Sequence, residues 1–481
     1  MIRIYFDWNV ISNLKRTEFA AISQFISDNK SSLQFPYSPA HFNDLMKSYS
    51  PQNELFFQDL NTLENLSGKH LLRWEDNRTM PLWCTPKEYF EHEKEKEDII
   101  SLMDMDKLLS DLDGFSQDFG IGNVGELIKS GYKAIPAGIE VTAENNVFLQ
   151  KIFPGITSES SMWDVIKNMA PFSKNLLRNR EYYKDFRKTL NNNGFKVDDN
   201  SGNWSEDIVF EKVSAFLQKM KIEMTFMQYV EKTLKSQKGQ YNRHQFFVTA
   251  YLLLDMIGYK SDKLPKSTDS MQNILNDSEH AFYGAHCDFF VASDKKLLTK
   301  ANVLYKELNI STIVISPDKL ISLLEPLIHK VPKYIPNLFH DIIKCVKKEN
   351  IIDSYSENDI ETYVIKIRYF FFDFFNYLIF QMNPKQNLIY FTFKRIFTNY
   401  SDFVYFSEVE SIFDSLGDLL DYSGRDDFNV QKNEFIHKNK GMSIIWHFKD
   451  GKIILNQDKD EPLPIISFVL ETDKDELYEK I

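Results

Sequence analysis

The chain has little cysteine: Cys84, Cys287 and Cys345 are far apart and odd in number. That excludes a disulfide framework and a paired-cysteine zinc site, and it points to a reducing, cytoplasmic setting. Glycine (17) and proline (16) are scarce among 481 residues, which argues against a turn-rich all-β fold and for helices. Positive charge is lacking too. The formal net charge is −12, so no global field attracts nucleic acid, and contact with RNA or DNA must rest on a local patch. No apolar run reaches the ~20 residues of a membrane-spanning helix. The richest, 369-YFFFDFFNYLIF-380, contains Asp373 and Asn376 and follows Lys366 and Arg368; it reads as a buried helix. The N-terminus has no basic and apolar leader, so no export signal is expected. No internal repeat is visible. A P-loop, a nucleophile elbow, an HExxH pair and a Ser-His-Asp order are also missing. The string 120-GIGNVG-125 has dinucleotide-loop spacing, but polar 110-SDLDGFSQDF-119 precedes it instead of a strand, so it reads as a loop.

What is present begins at once. Residues 2–6, IRIYF, form a short apolar strand, followed by Ile11, Leu14, Phe19, Ile22, Phe25 and Ile26 at helical spacing. A second strand is expected at 33-LQFPYSP-39 and a helix at 40-AHFNDLMK-47. This is the opening of a parallel α/β sheet. The alternation then stops. Residues 51–238 are charged, aromatic and mainly helical in pattern, and the terminal stretch 471–481 reads as a solvated acidic tail. The alternation resumes with a helix at 241–259, the strand 289-FFVAS-293, the strand 310-ISTIVISP-317 and a helix at 318–327. The expected fold class is therefore α/β, with a central parallel sheet built from 1–50 and 239–328 and split by a helical insertion at 51–238. The region 329–481 is expected to be α+β: helical to about residue 425, then a small β-sheet. That sheet would hold a hairpin around Asp450-Gly451 and a strand at 464–472.

In an open parallel sheet, ligands bind beyond the carboxyl ends of the strands. Asp7 and Asp294 follow such strands, Asp44 lies one helical turn after another, and Asp277 sits in the helix that leads back to Asp294's strand. Each acid alone could simply cap a helix. Four together would repel one another unless protons or a hard cation such as Mg²⁺ or Mn²⁺ neutralised them. Asp288 begins the 289–293 strand at its far end from Asp294, ~17–20 Å away, and is read as structural.

The ordered set 5-YFDWNVIS-12, the acid after the second strand, 277-DSEHAFYGAHCDFFVASDKKL-297 and 313-IVISPDKLISLL-324 resembles a PIN-like nuclease domain, over about 1–50 and 240–325. The resemblance implies a three-layer fold and metal-dependent hydrolysis of phosphodiester bonds, with RNA favoured over DNA. It implies that Asp7, Asp277 and Asp294 hold one or two ions, with Asp44 completing the catalytic set. One departure is that the acid after the second strand is usually Glu in such domains, and Asp44 is shorter. Asn9 would cap the first helix or orient Asp7, and Ser293 would order the Asp294 loop or touch phosphate. His280, three residues after Asp277, is either a packed helix histidine or a supporting site residue. For nucleic acid, Arg180, Lys184 and Arg187 share one helical face with Tyr182, Tyr183 and Phe186 interleaved, while Lys238 and Arg243 lie in a second basic stretch. Partners would be RNA and a regulatory protein or a second copy of the chain, with no membrane. The family context suggests a regulated toxin or anti-phage effector. The alternatives are a silent RNA- or protein-binding scaffold and a DNA nuclease with the same acids.

Overall fold

A computed structural model describes residues 1–94, 109–110, 128–130, 133–143, 145–190, 203–219, 222–238, 241–260, 271–328, 332, 334–383, 385–437, 441–457 and 463–471. The segments 111–125 and 472–481, which include the glycine string and all but the first residue of the acidic tail, lie outside the described residues. The chain forms two compact units: residues 1–87 with 280–481, and residues 88–279. These limits differ from the sequence boundaries at 51, 238 and 328, and the C-terminal region belongs with the parallel sheet.

In the first unit, strand β1 (Ile2–Phe6) is buried at every residue. An apolar run without alternation suits a strand covered on both faces. Helices α1 (Trp8–Asn13) and α2 (Ala20–Asp28) lead to β2 (Leu33–Gln34), and α3 (Pro39–Leu45) and α4 (Glu54–Ser67) follow. The parallel sheet has the order β2-β1-β5-β6, where β5 is Phe289–Val291 and β6 is Ile313–Ile315. Phe6 pairs with Val291, so β1 and β5 end side by side. The helix Lys295–Glu307 joins β5 to β6.

Part of the stretch expected to be helical is instead a hairpin, β3 (His70–Glu75) with β4 (Arg78–Trp83). Asp76 and Asn77 turn it at φ 49° and 60°. Asp and Asn tolerate this left-handed geometry, which matches the twist of paired strands. Tyr37 N–H donates to His70 O (2.9 Å) and Leu72 N–H to Tyr37 O (2.7 Å), which ties the hairpin to the segment ahead of α3.

The C-terminal region corrects a second expectation. It is not mainly helical to residue 425. It is built on an antiparallel sheet in the order β11-β12-β13-β10-β9-β8-β7. Strands β7 (Ile351–Glu357), β8 (Ile360–Phe371), β9 (Phe375–Asn383) and β10 (Leu388–Lys394) precede the helices Phe406–Leu420 and Asp426–His437. The supposed helix 369–380 is the end of β8, a turn and most of β9, and Phe372 and Asp373 adopt φ 52° and 54°. No glycine marks that turn, so the aromatic run hid it. The expected hairpin around Asp450-Gly451 is present as β11 (Ser443–Phe448) and β12 (Gly451–Gln457), with β13 (Pro464–Glu471) paired to β12. Phe371, Phe375, Phe391, Phe393, Phe468 and their neighbours form one core with Leu338, Ile342 and Phe413 from helices.

Two buried arginines join the sheets within this unit. Arg3 of β1 donates to both carboxylate oxygens of Glu408 (2.7 and 2.6 Å), to Ser401 Oγ (2.7 Å) and to Phe403 O (2.8 Å). Arg395 donates to both oxygens of Asp288 (2.7 and 2.8 Å) and to Phe374 O (2.9 Å). Such fork-shaped pairs fix geometry as well as charge.

The described parts of the second unit are dominated by helices: Asn146–Ile152, Met162–Arg178, Arg180–Leu190, Val209–Lys219, Phe226–Lys238 and Arg243–Met256. The helix Met271–Gly284 starts in this unit, and its last residues, from His280, belong to the first. Among the described residues no helix is long and apolar enough to cross a membrane.

Candidate metal centre

The centre forms where β1 stops. Asp7 follows Phe6 directly and is 2 % exposed. It stands at the N-cap position of α1, yet its side chain makes no capping hydrogen bond there. Its carboxylate accepts from Asn9 Nδ2 (3.2 Å). α3 supplies the second acid. Ser38 caps this helix and Pro39 opens it, which sets where its first turn begins. Asp44, on the last turn, accepts from Lys47 Nζ (2.7 Å). The third group is His280, fully buried.

His280 Nε2 lies 3.0 Å from Asp44 Oδ2 and 3.8 Å from Asp7 Oδ1. One ligand atom from each of Asp7, Asp44 and His280 lies within 4.8 Å of the other two, so all three can reach one cation. Four residues behind His280, Gly284 lets the helix press on β5. A Cβ there would stand 2.8 Å from the Phe290 ring.

Behind these groups runs a polar relay. His280 Nδ1 is 3.0 Å from Tyr5 Oη, which is 2.6 Å from Ser38 Oγ. His41 Nδ1 accepts from Ser38 N–H (3.0 Å), and His41 Nε2 donates to Phe6 O (2.8 Å). The Tyr5 hydroxyl can donate to His280 Nδ1 or accept from it. The ring can therefore keep its Nε2 proton for Asp44, or give up that position and hold its proton on Nδ1. The second form is the one a metal-bound histidine needs.

The electrostatics separate the two acids. Burial, with the charge of Asp44 adding to it, raises the Asp7 carboxyl above its ordinary value, although His280 opposes the shift. Burial would raise Asp44 too, but the hydrogen bond and charge of His280, with Lys47, outweigh it and bring Asp44 to about 2. Burial, then the charge of His280, lowers His41 to about 3, which keeps it neutral. Asp7 thus lacks a full counter-charge, a condition that a proton or a divalent ion relieves.

The other residues singled out by sequence stand elsewhere. Asp294 is exposed and acts as a helix cap: its Oδ1 accepts from Lys296 N–H (2.6 Å) and Leu297 N–H (3.2 Å). It follows β5 at the same sheet edge as Asp7, but it is outside the three-residue group, as is the half-buried Asp277. Ser293 is exposed after β5. Asp288 is held by Arg395 and by Arg3 N–H (2.9 Å), a structural position. In the basic helix Arg180–Leu190 the interleaved aromatics point to packing. Tyr183 is buried and donates to Asp255 (3.3 Å), and Phe172 packs against Tyr182 and Phe186. Lys184 is half-buried and Arg243 is exposed, while the side chains of Arg180, Arg187 and Lys238 lie outside the described residues. Sequence reasoning missed Tyr5, Ser38 and His41. The Ser38-Pro39 helix start was the available signal for two of them. Comparison with family models, curated proteins and solved structures finds no match for this chain.

Proposed function

We propose that the protein is a metal-dependent nuclease that hydrolyses phosphodiester bonds, with RNA as the favoured substrate, and that its fold is PIN-like. What carries this reading is the convergence of Asp7, Asp44 and His280 at the carboxyl edge of a parallel sheet, with one carboxyl left short of positive charge. The order of strand, Asp-x-Asn and helix acid resembles the PIN-like sequence pattern, with His280 standing where that pattern's helical Asp277 and strand-end Asp294 were expected as ligands, and the choice of RNA rests on that resemblance. Two carboxylate oxygens and one imidazole nitrogen suit Mn²⁺, and Mg²⁺ less well, because imidazole is a borderline ligand. Asp7, Asp44 and His280 would hold the ion. Bound there, it would activate water and neutralise charge on the phosphate. Asn9 and Tyr5 orient the ligands, and Asp294 stays close to the edge where the substrate backbone would pass.

A second reading is favoured by the 3.0 Å contact of His280 with Asp44 and the complete Tyr5–Ser38 relay. These satisfy the histidine without a cation, as a silent binding scaffold would. The deciding experiment is Mn²⁺ titration by calorimetry, together with cleavage of total RNA and single-stranded DNA with and without EDTA, for wild type and Asp7→Asn. The nuclease reading expects stoichiometric Mn²⁺ binding and EDTA-sensitive cutting, both lost in Asp7→Asn. A folded wild type that binds no Mn²⁺ and cuts neither substrate would leave the scaffold.

A further inference from the structure

A cavity of about 620 Å³ lies in the first unit between the β3–β4 hairpin and the segment 402–409, within the size range of small-molecule sites (~300–1,000 Å³). Its wall is braced by the bond between His70 Nε2 and Ser407 Oγ (2.8 Å). Two observations characterise what it would hold. Lys69 and Arg78 line it and form no ion pair among the described residues, and Asp402 is the one acid in the lining. In a chain of net charge −12, two cations without an ion pair lining one cavity favour an anion. Trp83 is 56 % exposed at the same wall, with Phe406 at 5.1 Å and Lys69 Nζ 5.3 Å from the indole centroid. An indole left this open offers a planar group a stacking surface.

We propose that this cavity binds a small nucleoside phosphate. The base would stack on Trp83 beside Lys69, and the phosphate would reach along β4 toward Arg78 at the turn end of the hairpin. An inorganic anion would leave the indole unused, and an apolar ligand would leave the cations unused. The wall is also bonded to the metal-centre side of the unit. His70 O accepts from Tyr37 N–H, and Tyr37 adjoins Ser38, the cap of α3. The proposal stands independently of the nuclease reading.

The test is titration of the full chain, in EDTA, with AMP, ATP, cyclic AMP and inorganic phosphate, following indole fluorescence and heat. Expected is saturable nucleotide binding that weakens about tenfold or more in Trp83→Leu and in Arg78→Ala, on the usual size of a stacking or phosphate contact. Both residues are exposed, so melting temperatures should hold. Asp7→Asn should still bind, which separates this site from the metal centre. No nucleotide binding up to about 1 mM, near the weak end of specific affinity, would overturn the proposal. So would binding indifferent to both variants, or phosphate alone binding as tightly as any nucleotide.

Discussion

Arg3 and Glu408 show at the scale of single residues how a strand end is kept in place. Both side chains are fully buried, and their charges face each other at 2.6 Å. Burial disfavours ionised Glu408, but Arg3 outweighs it and holds the carboxyl below its ordinary value. The pair's contribution is therefore complete above the unfolded glutamate value of ~4.3 and is lost as pH falls through the lower folded value. Denaturant melts between pH 7 and 3 should show that loss for wild type and a flatter profile for Glu408→Gln. At pH 7 the same variant should lose ~3–5 kcal/mol, because it leaves Arg3 buried without its charge partner. A loss under about 1 kcal/mol, as for a surface pair, would contradict this account. Asp7 is the opposite case. Its buried carboxyl is raised, so Asp7→Asn should keep or increase stability by on the order of 1 kcal/mol while Mn²⁺ binding disappears. A thermal melt beside the metal titration checks both.

At the scale of elements, the position of His280 depends on how closely its helix meets β5. Gly284 has no room for a Cβ against Phe290 or against Tyr305 Oη, which would lie 3.0 Å away. Gly284→Ala should cost about 1–3 kcal/mol by overpacking and, by moving the helix, weaken Mn²⁺ binding. Unchanged stability and affinity would mean that the helix is placed by something else. Element by element, sequence pattern was informative where the signal was local. Residues 2–6 were a strand because all but Arg3 are apolar or aromatic, and 451-GKIILN-456 was a strand because Asp450-Gly451 turns into it. The 369–380 run failed for a physical reason. Its apolar residues serve two antiparallel strands, and a turn through Phe372 and Asp373 carries no glycine to announce it. The β3–β4 hairpin was legible only in the pair Asp76-Asn77.

At the scale of the whole molecule, the parallel sheet and the C-terminal sheet are one unit because charges cross between them. A fragment ending at residue 328 would expose Arg3 and Asp288 without Glu408 and Arg395. It should fail to melt cooperatively, as circular dichroism of the expressed fragment would show. Cooperative melting near the full-chain temperature would show that the sheet stands alone. The bonded path from His70 through Tyr37 to α3 also links the proposed nucleotide cavity to the candidate metal centre. If occupancy of one changes affinity for the other, the two effects must be equal in size, so Mn²⁺ titrations with and without AMP should agree with AMP titrations with and without Mn²⁺.

Sequence alone determined the elements whose signal lies within a few residues: the apolar strand that runs into Asp7, the helix with Asp44 after the second strand, the later β-branched strands and the last hairpin. Only the tertiary structure decided which side chains meet. Asp44 and His280 are 236 residues apart, and their contact follows from pairing β1 with β5, which no local periodicity encodes. Asp294 was left to cap its own helix, and the half-buried Asp288 is held by Arg395 from the C-terminal region. Hydrophobic period and turn chemistry are short-range properties of a chain. The convergence of charged groups is a long-range one, set by which strands lie side by side.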